Sequence, residues 1–190
     1  EVSVAVPDVG PGADVPRERR RFHVFLPTQE PSTYPLLVNG AFSTDLSRQR
    51  VRVSDDPGDY NSHLIRQAAA LYVAQLLPLL TEDGVARVLD TLDRRGEIPG
   101  PAAELLHEAL SDALGDVPML PTESGEPIAF EQSVLPPVVL GEEGEAFRRT
   151  LPVDASWQGR QFPASEVCIG ALAGVAMDHG ARTLGATEAL

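Results

Sequence analysis

The segment FHVFLPTQEPSTYPLLVNGAFSTDLSRQRVRV spans residues 22–53 and contains three runs with strand-like alternation. In the first run, residues 22–26, apolar side chains occupy both faces, which predicts a central strand of a sheet. In the second run, residues 36–43, one face is again apolar, and Gly40 indicates a bulge or a close backbone approach. Because residues 2–6 form another short apolar run, we expect a sheet at the N-terminal end.

The third run, residues 48–53, has arginine at every second position. Successive side chains of a strand point to opposite faces, so a strand here would turn its valines inward and its arginines outward. The expected outward residues are Arg48, Arg50 and Arg52, opposite Val51 and Val53, in a chain whose net charge is -13.

Helix signals begin after this segment. Asp59 is the predicted N-cap of a helix from about residue 60 to residue 77, because its carboxylate can accept a free N–H of the first turn. Pro78 is expected to end or kink that helix, and Thr81 to cap a second one. Pro101 then stands at the first position of a third helix, which runs to Gly115.

The C-terminal half is expected to combine a hairpin, loops and helices. Residues 117–130 predict two short strands around a Ser-Gly turn. Residues 131–164 are rich in proline and acidic residues, which predicts mainly loop with a short helix near residues 142–149. The last predicted helix covers about residues 165–179, and two glycines four positions apart favour close helix packing there.

These patterns together predict an α+β fold. An N-terminal mixed β-sheet is backed by a long helix and followed by a mostly helical part with a short β-hairpin near residues 117–130. We expect two domains, with residues 1–80 forming the α+β part and residues 81–190 the mostly helical region.

The composition excludes several functions. All 15 basic residues are arginine, so a Walker phosphate loop, a Schiff-base lysine and a Ser-Lys dyad are impossible. The acidic balance argues against nucleic acid as a partner, and no segment has the ~18 uninterrupted apolar residues of a membrane span. The lone Cys168 cannot form an internal disulfide, which favours a reducing cytoplasm.

The nucleophilic and metal-binding residue types form no recognisable site. The four histidines lack metal-ligand spacing with one another or with Cys168. His107-Glu108 starts like a zinc-protease helix, but Ser111 stands where the second histidine must be. Cys168 lies in the apolar last helix and is expected to be a buried, unreactive thiol. The residues alone therefore predict a domain with no self-contained active site and no metal.

Several short motifs follow one another in a specific order. They are F-x-V-F-L-P-T at Phe22–Thr28, L-x-V-N-G-x-F at Leu36–Phe42, S-R-x-R at Ser47–Arg50 and Y-N-x-x-L at Tyr60–Leu64. Together they resemble the region that follows the nucleotide pocket in sacsin-like proteins, whose ATPase is of the Hsp-ninety (GHKL) type. This resemblance covers about a third of the chain. Residues 117–137 are similar to a strand-turn-strand element of sacsin repeats.

The resemblance implies an upstream GHKL ATPase domain of the same polypeptide, which binds ATP with magnesium, and a following middle-type module that couples hydrolysis to movement. The pocket motifs of that class do not occur in residues 1–190, so no cofactor is expected in this chain. The module after the pocket supplies a basic or amide side chain to the terminal phosphate. By this resemblance Arg48, Gln49 and Arg50 are the candidate phosphate-sensing residues, with Arg52 as a third arginine, although the family pattern has adjacent arginines.

Two other interpretations stay open. In one, the arginine run is a solvated strand face that contacts no phosphate. In the other, the chain is a protein-interaction module with no nucleotide link, and its acidic surface and the helices at 82–114 bind a protein partner. An independent hydrolase is disfavoured, because no nucleophile and base stand at matched spacing. Since the sequence begins at Glu1 without Met, we also expect a piece of a longer protein. The resemblance implies that this protein is bacterial, is sacsin-like or chaperone-like, and has a client protein as a further partner.

Overall fold

The computed structural model describes residues 1–8, 15–16, 19–54, 56, 58–94, 100–137, 143–168 and 170–184. The chain forms two compact units, residues 1–113 and residues 114–190. The predicted α+β class is confirmed, because the first unit carries a mixed four-stranded sheet and both units contain helices.

The sheet of the first unit has the strand order β1-β4-β2-β3. Strand β4 is parallel to β2 and antiparallel to β1, while β2 and β3 are antiparallel. The predicted interior position of the strand that begins at Phe22 is confirmed, because β2 lies between two neighbours. The strands are β1 (Val2–Ala5), β2 (Arg21–Val24), β3 (Leu26–Pro31) and β4 (Leu37–Gly40).

Strand β3 was not expected from the sequence. Its residues 26–31 include two prolines, which are tolerated because β3 lies at the edge of the sheet. Phe25 turns the chain from β2 into β3 with a left-handed φ of 63°, and its N–H donates to Asn39 Oδ1 at 3.2 Å. Gly40 shows neither the bulge nor the close backbone approach that the sequence suggested: it pairs in regular register with Val2, and the atoms nearest to a Cβ there would belong to the ring of Phe42, at 3.1 Å.

The helix predicted from residue 60 to residue 77 continues past Pro78. It comprises α1 (Tyr60–Leu71), a π-helical turn (Tyr72–Leu76) and α2 (Leu77–Glu82). Proline lacks an N–H and crowds the carbonyl four residues before it, and the wider π turn relieves both constraints. Because the π turn accommodates Pro78, the helix continues through the proline to Glu82.

Thr81 is not the N-cap that the sequence predicted. It lies inside α2, where its hydroxyl donates to the carbonyl of Leu77 at 2.7 Å. The next helix, α3 (Val85–Leu92), instead begins after Gly84, whose φ of 102° is readily reached only by glycine. The helix predicted after Pro101 is confirmed as α4 (Pro101–Leu114).

Residues Tyr60–Glu82 form one helix that is long and apolar enough to cross a membrane by length and composition alone. Its most apolar window has a mean hydropathy of 1.3, and 39% of that window is buried within the protein. A core helix has the same properties, and α1 contacts β1 through a buried apolar stripe. The absence of a membrane partner stays a prediction.

Side chains of α3 and α4 bond to residues that precede position 80. Tyr72 Oη and Thr91 Oγ1 lie 2.6 Å apart, and Arg87 donates to the carbonyl of Pro7 at 2.7 Å. Tyr34 Oη lies 2.6 Å from His107 Nδ1. These bonds lie within the unit that ends at residue 113, whereas the sequence placed a domain boundary at residue 80.

The second unit combines short helices with two-residue strands. The hairpin predicted at 117–130 is reduced to one antiparallel bridge between Leu120 and Ile128, with Gly125 in the turn at a φ of 89°. The helix predicted near 142–149 is α5 (Glu143–Thr150). The remaining elements are β5 (Val134–Leu135), β6 (Ser156–Trp157), β7 (Arg160–Gln161), a 3₁₀ turn (Ser165–Cys168), α6 (Gly170–Asp178) and β8 (Arg182–Thr183).

Candidate functional site

The predicted strand at residues 48–53 is wrong. Residues 43–52, here called the arginine loop, fold back on themselves through an antiparallel bridge between Thr44 and Val51. The N–H of Asp45 donates to the carbonyl of Arg50 at 3.1 Å, which closes the tip. Arg48 has a left-handed φ of 57°, which no strand residue adopts. The alternation of arginines therefore marks a turn and its returning arm, with Val51 as the buried residue.

Asp45 organises the tip of the arginine loop. Its Oδ1 accepts the backbone N–H groups of Gln49 at 2.8 Å and Arg50 at 3.3 Å, and its Oδ2 accepts the Ser47 hydroxyl at 2.7 Å. The Ser47 hydrogen bond, followed by the two backbone bonds and the charge of Arg52, holds the pKa of Asp45 below its usual value. The carboxylate is thus ionised at neutral pH. It accepts backbone N–H groups of the tip that, in a strand, would bond to a neighbouring strand.

The arginine loop is also fixed at its base and its side. The buried amide of Asn61, in the first turn of α1, accepts the N–H of Ser43 at 2.8 Å. It donates to the carbonyls of Ser43 at 2.7 Å and Arg52 at 2.5 Å. At the side, the N–H of Gln29 on edge strand β3 donates to the carbonyl of Gln49 at 3.0 Å. Two separate elements of the first unit, helix α1 and strand β3, therefore position this loop.

The tip presents polar and cationic side chains to solvent. The structure brings the three predicted residues Arg48, Gln49 and Arg50 together on this tip, all exposed, and places Arg52 on the returning arm. Leu46, at the same tip, is 100% exposed. Two guanidinium groups and one amide on a fixed turn can donate several hydrogen bonds to one oxyanion.

A buried carboxyl group lies near the arginine loop. Glu30 on β3 is 4% exposed, and its N–H donates to Thr28 Oγ1 at 3.1 Å. Burial raises the pKa of Glu30, the positive charge of Arg50 opposes that rise, and the negative charge of Asp45 adds to it. A side chain at Gly100 would overlap the Glu30 carboxylate, so the backbone before α4 is packed against this group.

The histidines and the cysteine do not extend this site. Among the described residues, no group of three or more His, Cys, Asp or Glu could hold a metal ion. His107 bonds and stacks with Tyr34, and His63 is exposed on α1. The predicted burial of Cys168 is confirmed.

Reasoning from the sequence missed Asp45, Asn61 and Glu30. Asp45 had a local signal, because Asp followed two residues later by Ser favours a side-chain-capped turn. Asn61 stands inside the Y-N-x-x-L motif, but its partners lie 9 and 18 residues away. Nothing in the local pattern indicates that Glu30 is buried.

Comparison with known protein families, curated proteins and solved structures finds no match to this chain.

Proposed function

We propose that this chain is the coupling part of a sacsin-like GHKL ATP-binding protein. In this proposal the arginine loop senses the terminal phosphate of ATP, which the upstream domain of the same polypeptide holds with magnesium. The observation that carries the proposal is the exposed tip of Arg48, Gln49 and Arg50, held in one shape by the Asp45 carboxylate. A client protein would respond to the resulting movement.

A fixed cationic tip suits this task for a physical reason. Donors that are already oriented stabilise charge that develops during phosphoryl transfer, because they need no rearrangement at that moment. The bonds from the loop to Asn61 and to Gln29 connect the tip with helix α1 and strand β3. A force that the phosphate exerts on the tip would therefore be transmitted to both elements, which is what coupling requires.

The first prediction concerns Arg48 in the full polypeptide with its ATPase domain. Arg48→Ala removes a guanidinium from the tip, so we expect ATP turnover to fall on the order of 10²-fold, the typical effect of losing one oriented donor. Nucleotide affinity should change much less, because the pocket lies elsewhere. Steady-state turnover and nucleotide titration measure the two quantities.

Two further variants sharpen this test. Asp45→Asn keeps every arginine but weakens the bonds that shape the tip, so turnover should fall even though the loss of the carboxylate makes the loop more positive. Arg19→Ala removes an exposed arginine outside the loop and serves as the matched control. Unchanged turnover in Arg48→Ala, or an equal loss in Arg19→Ala, contradicts the phosphate role.

A further inference from the structure

A long groove runs between helices α1 and α4 of the first unit. Two adjoining cavities, of about 570 Å³ and about 310 Å³, share Arg66, Leu105 and Glu108 in their walls and so form one depression. Its lining residues advance along both helices in the same direction, from Ser62 to Ala70 on α1. We call this depression the α1–α4 groove.

The lining of the α1–α4 groove combines apolar and acidic residues. Leu105 and three small alanines, at positions 70, 109 and 113, contribute apolar lining. On α4 the carboxylates recur every fourth residue, which places them on one stripe of the helix. The acidic lining residues are Asp56, Glu104, Glu108 and Asp112.

Negative side chains outnumber positive ones in the lining of the α1–α4 groove. Among its lining residues, which the structure describes, Arg66 is the only cation beside the four carboxylates. Glu104 also bonds to Arg94 at 3.0 Å, whereas Glu108 and Asp112 are exposed at the rim. Like charges four residues apart on a helix repel each other, so a cationic occupant would relieve a repulsion already present.

We propose that the α1–α4 groove binds an amphipathic helix of a partner protein that carries arginine or lysine at every fourth position. A helix rises about 6 Å over four residues, so cations at that spacing match the three carboxylates of α4. Its apolar side chains would pack on Leu105 and the alanines, as in other helix-in-groove complexes. A nucleic acid has the wrong charge for this surface.

This inference is independent of the proposed phosphate role. The arginine loop does not line the groove, and the groove residues belong to α1, α4 and the segment that precedes α1. Either proposal can therefore fail without affecting the other.

The test uses the whole chain and a designed, fluorescein-labelled 16-residue helical peptide. Its arginines lie at every fourth position, with leucine and alanine on the adjoining face. A second peptide has the same composition, with its arginines distributed around the helix. Fluorescence anisotropy at two salt concentrations gives both affinities, and we expect the striped peptide to bind at least tenfold more tightly.

Three variants locate the binding. The double variant Glu108→Gln with Asp112→Asn should weaken the striped peptide at least tenfold. Ala70→Trp places a large side chain at an exposed position of the groove without changing its charge, and it should weaken binding of the striped peptide similarly. Circular dichroism checks that this variant is folded. The control, Glu82→Gln with Asp83→Asn, removes two exposed carboxylates outside the groove and should leave affinity within twofold.

Three outcomes overturn the proposal. One is no measurable binding of the striped peptide, and another is equal affinity for both peptides. The third is an equal loss in the control variant, which would show non-specific attraction to a chain of net charge -13.

Discussion

The pKa values of Asp45, in the arginine loop, and of Glu30, beside it, are shifted in opposite directions because the two carboxyl groups have different surroundings. Asp45 accepts one hydroxyl and two backbone N–H groups, which stabilise its charged form. Glu30 is buried, and removal from water disfavours its charged form even with Arg50 nearby. Their pKa values are therefore displaced in opposite directions, and the pH dependence of folding should reflect both.

The second prediction is that Glu30→Gln stabilises the protein at pH 7, on the order of 1 kcal/mol. The folded-state pKa of Glu30 is raised, so its contribution to stability is complete below the unfolded-state pKa and is lost as pH rises through the folded-state pKa. The gain from Gln should therefore shrink as the pH falls toward 4. Urea unfolding at several pH values measures it.

Glu82→Gln, at an exposed site on α2, is the matched control and should change the free energy of unfolding by a few tenths of a kcal/mol at most. If Glu30→Gln destabilises the protein at neutral pH, the carboxylate has a stabilising partner and the raised pKa is wrong.

At the scale of elements, the start of α1 connects the helix to the arginine loop. Asp59 Oδ2 accepts the N–H of Ser62 at 2.7 Å, as the predicted N-cap requires. Two residues later, Asn61 holds both arms of the loop. The same helical turn therefore satisfies its own free N–H groups and positions the candidate site.

The third prediction is that Asp59→Ala lowers the free energy of unfolding by about 1 kcal/mol at pH 7, the usual value of an N-cap. The backbone N–H and the hydroxyl of Ser62 lower the pKa of Asp59, with the backbone bond first. Its stabilisation is present above the unfolded-state pKa and is lost as pH falls through the folded-state pKa. Thermal unfolding from pH 7 to pH 2 measures this loss.

Asp59→Asn is the informative control, because asparagine caps a helix well without a charge. Its stability should stay close to that of the natural chain at pH 7 and vary less with pH. Equal destabilisation by Asn and Ala would show that the charge, and not the cap, stabilises α1.

At the scale of the whole molecule, the first unit includes α3 and most of α4. Leu89, Leu92, Leu106 and Leu110 of these helices are almost fully buried. The bonds Tyr72–Thr91 and Tyr34–His107 connect the same helices with residues before position 80. A chain cut at residue 80 would lose these contacts and expose the matching apolar surface.

The fourth prediction is that residues 1–113 fold by themselves, whereas residues 1–80 do not. The longer piece should unfold cooperatively in urea, because it keeps its core and its polar bonds. Circular dichroism and urea titration of both pieces distinguish the cases. Cooperative unfolding of residues 1–80 would instead favour the domain boundary expected from the sequence.

Local patterns in the sequence were enough to determine several elements. Strands β1, β2 and β4 follow from short apolar alternation, and α1 and α4 begin where Asp59 and Pro101 satisfy or remove a free N–H. These features depend on neighbours a few residues apart, so the residues themselves contain the necessary information. The alternation also predicted that Arg48 and Arg50 are exposed, whereas Gln49, at the same parity as Val51 and Val53, is exposed because the segment is a turn and not a strand.

Only the tertiary structure decided the features that depend on distant partners. The arginine loop is held in place by Asn61 and Gln29, which bond to it from other elements. Pro78 is accommodated by a π turn, and the backbone of Gly100 packs against Glu30. Alternation cannot distinguish a strand from a capped turn, because the distinction depends on long-range hydrogen bonds that a local pattern does not contain.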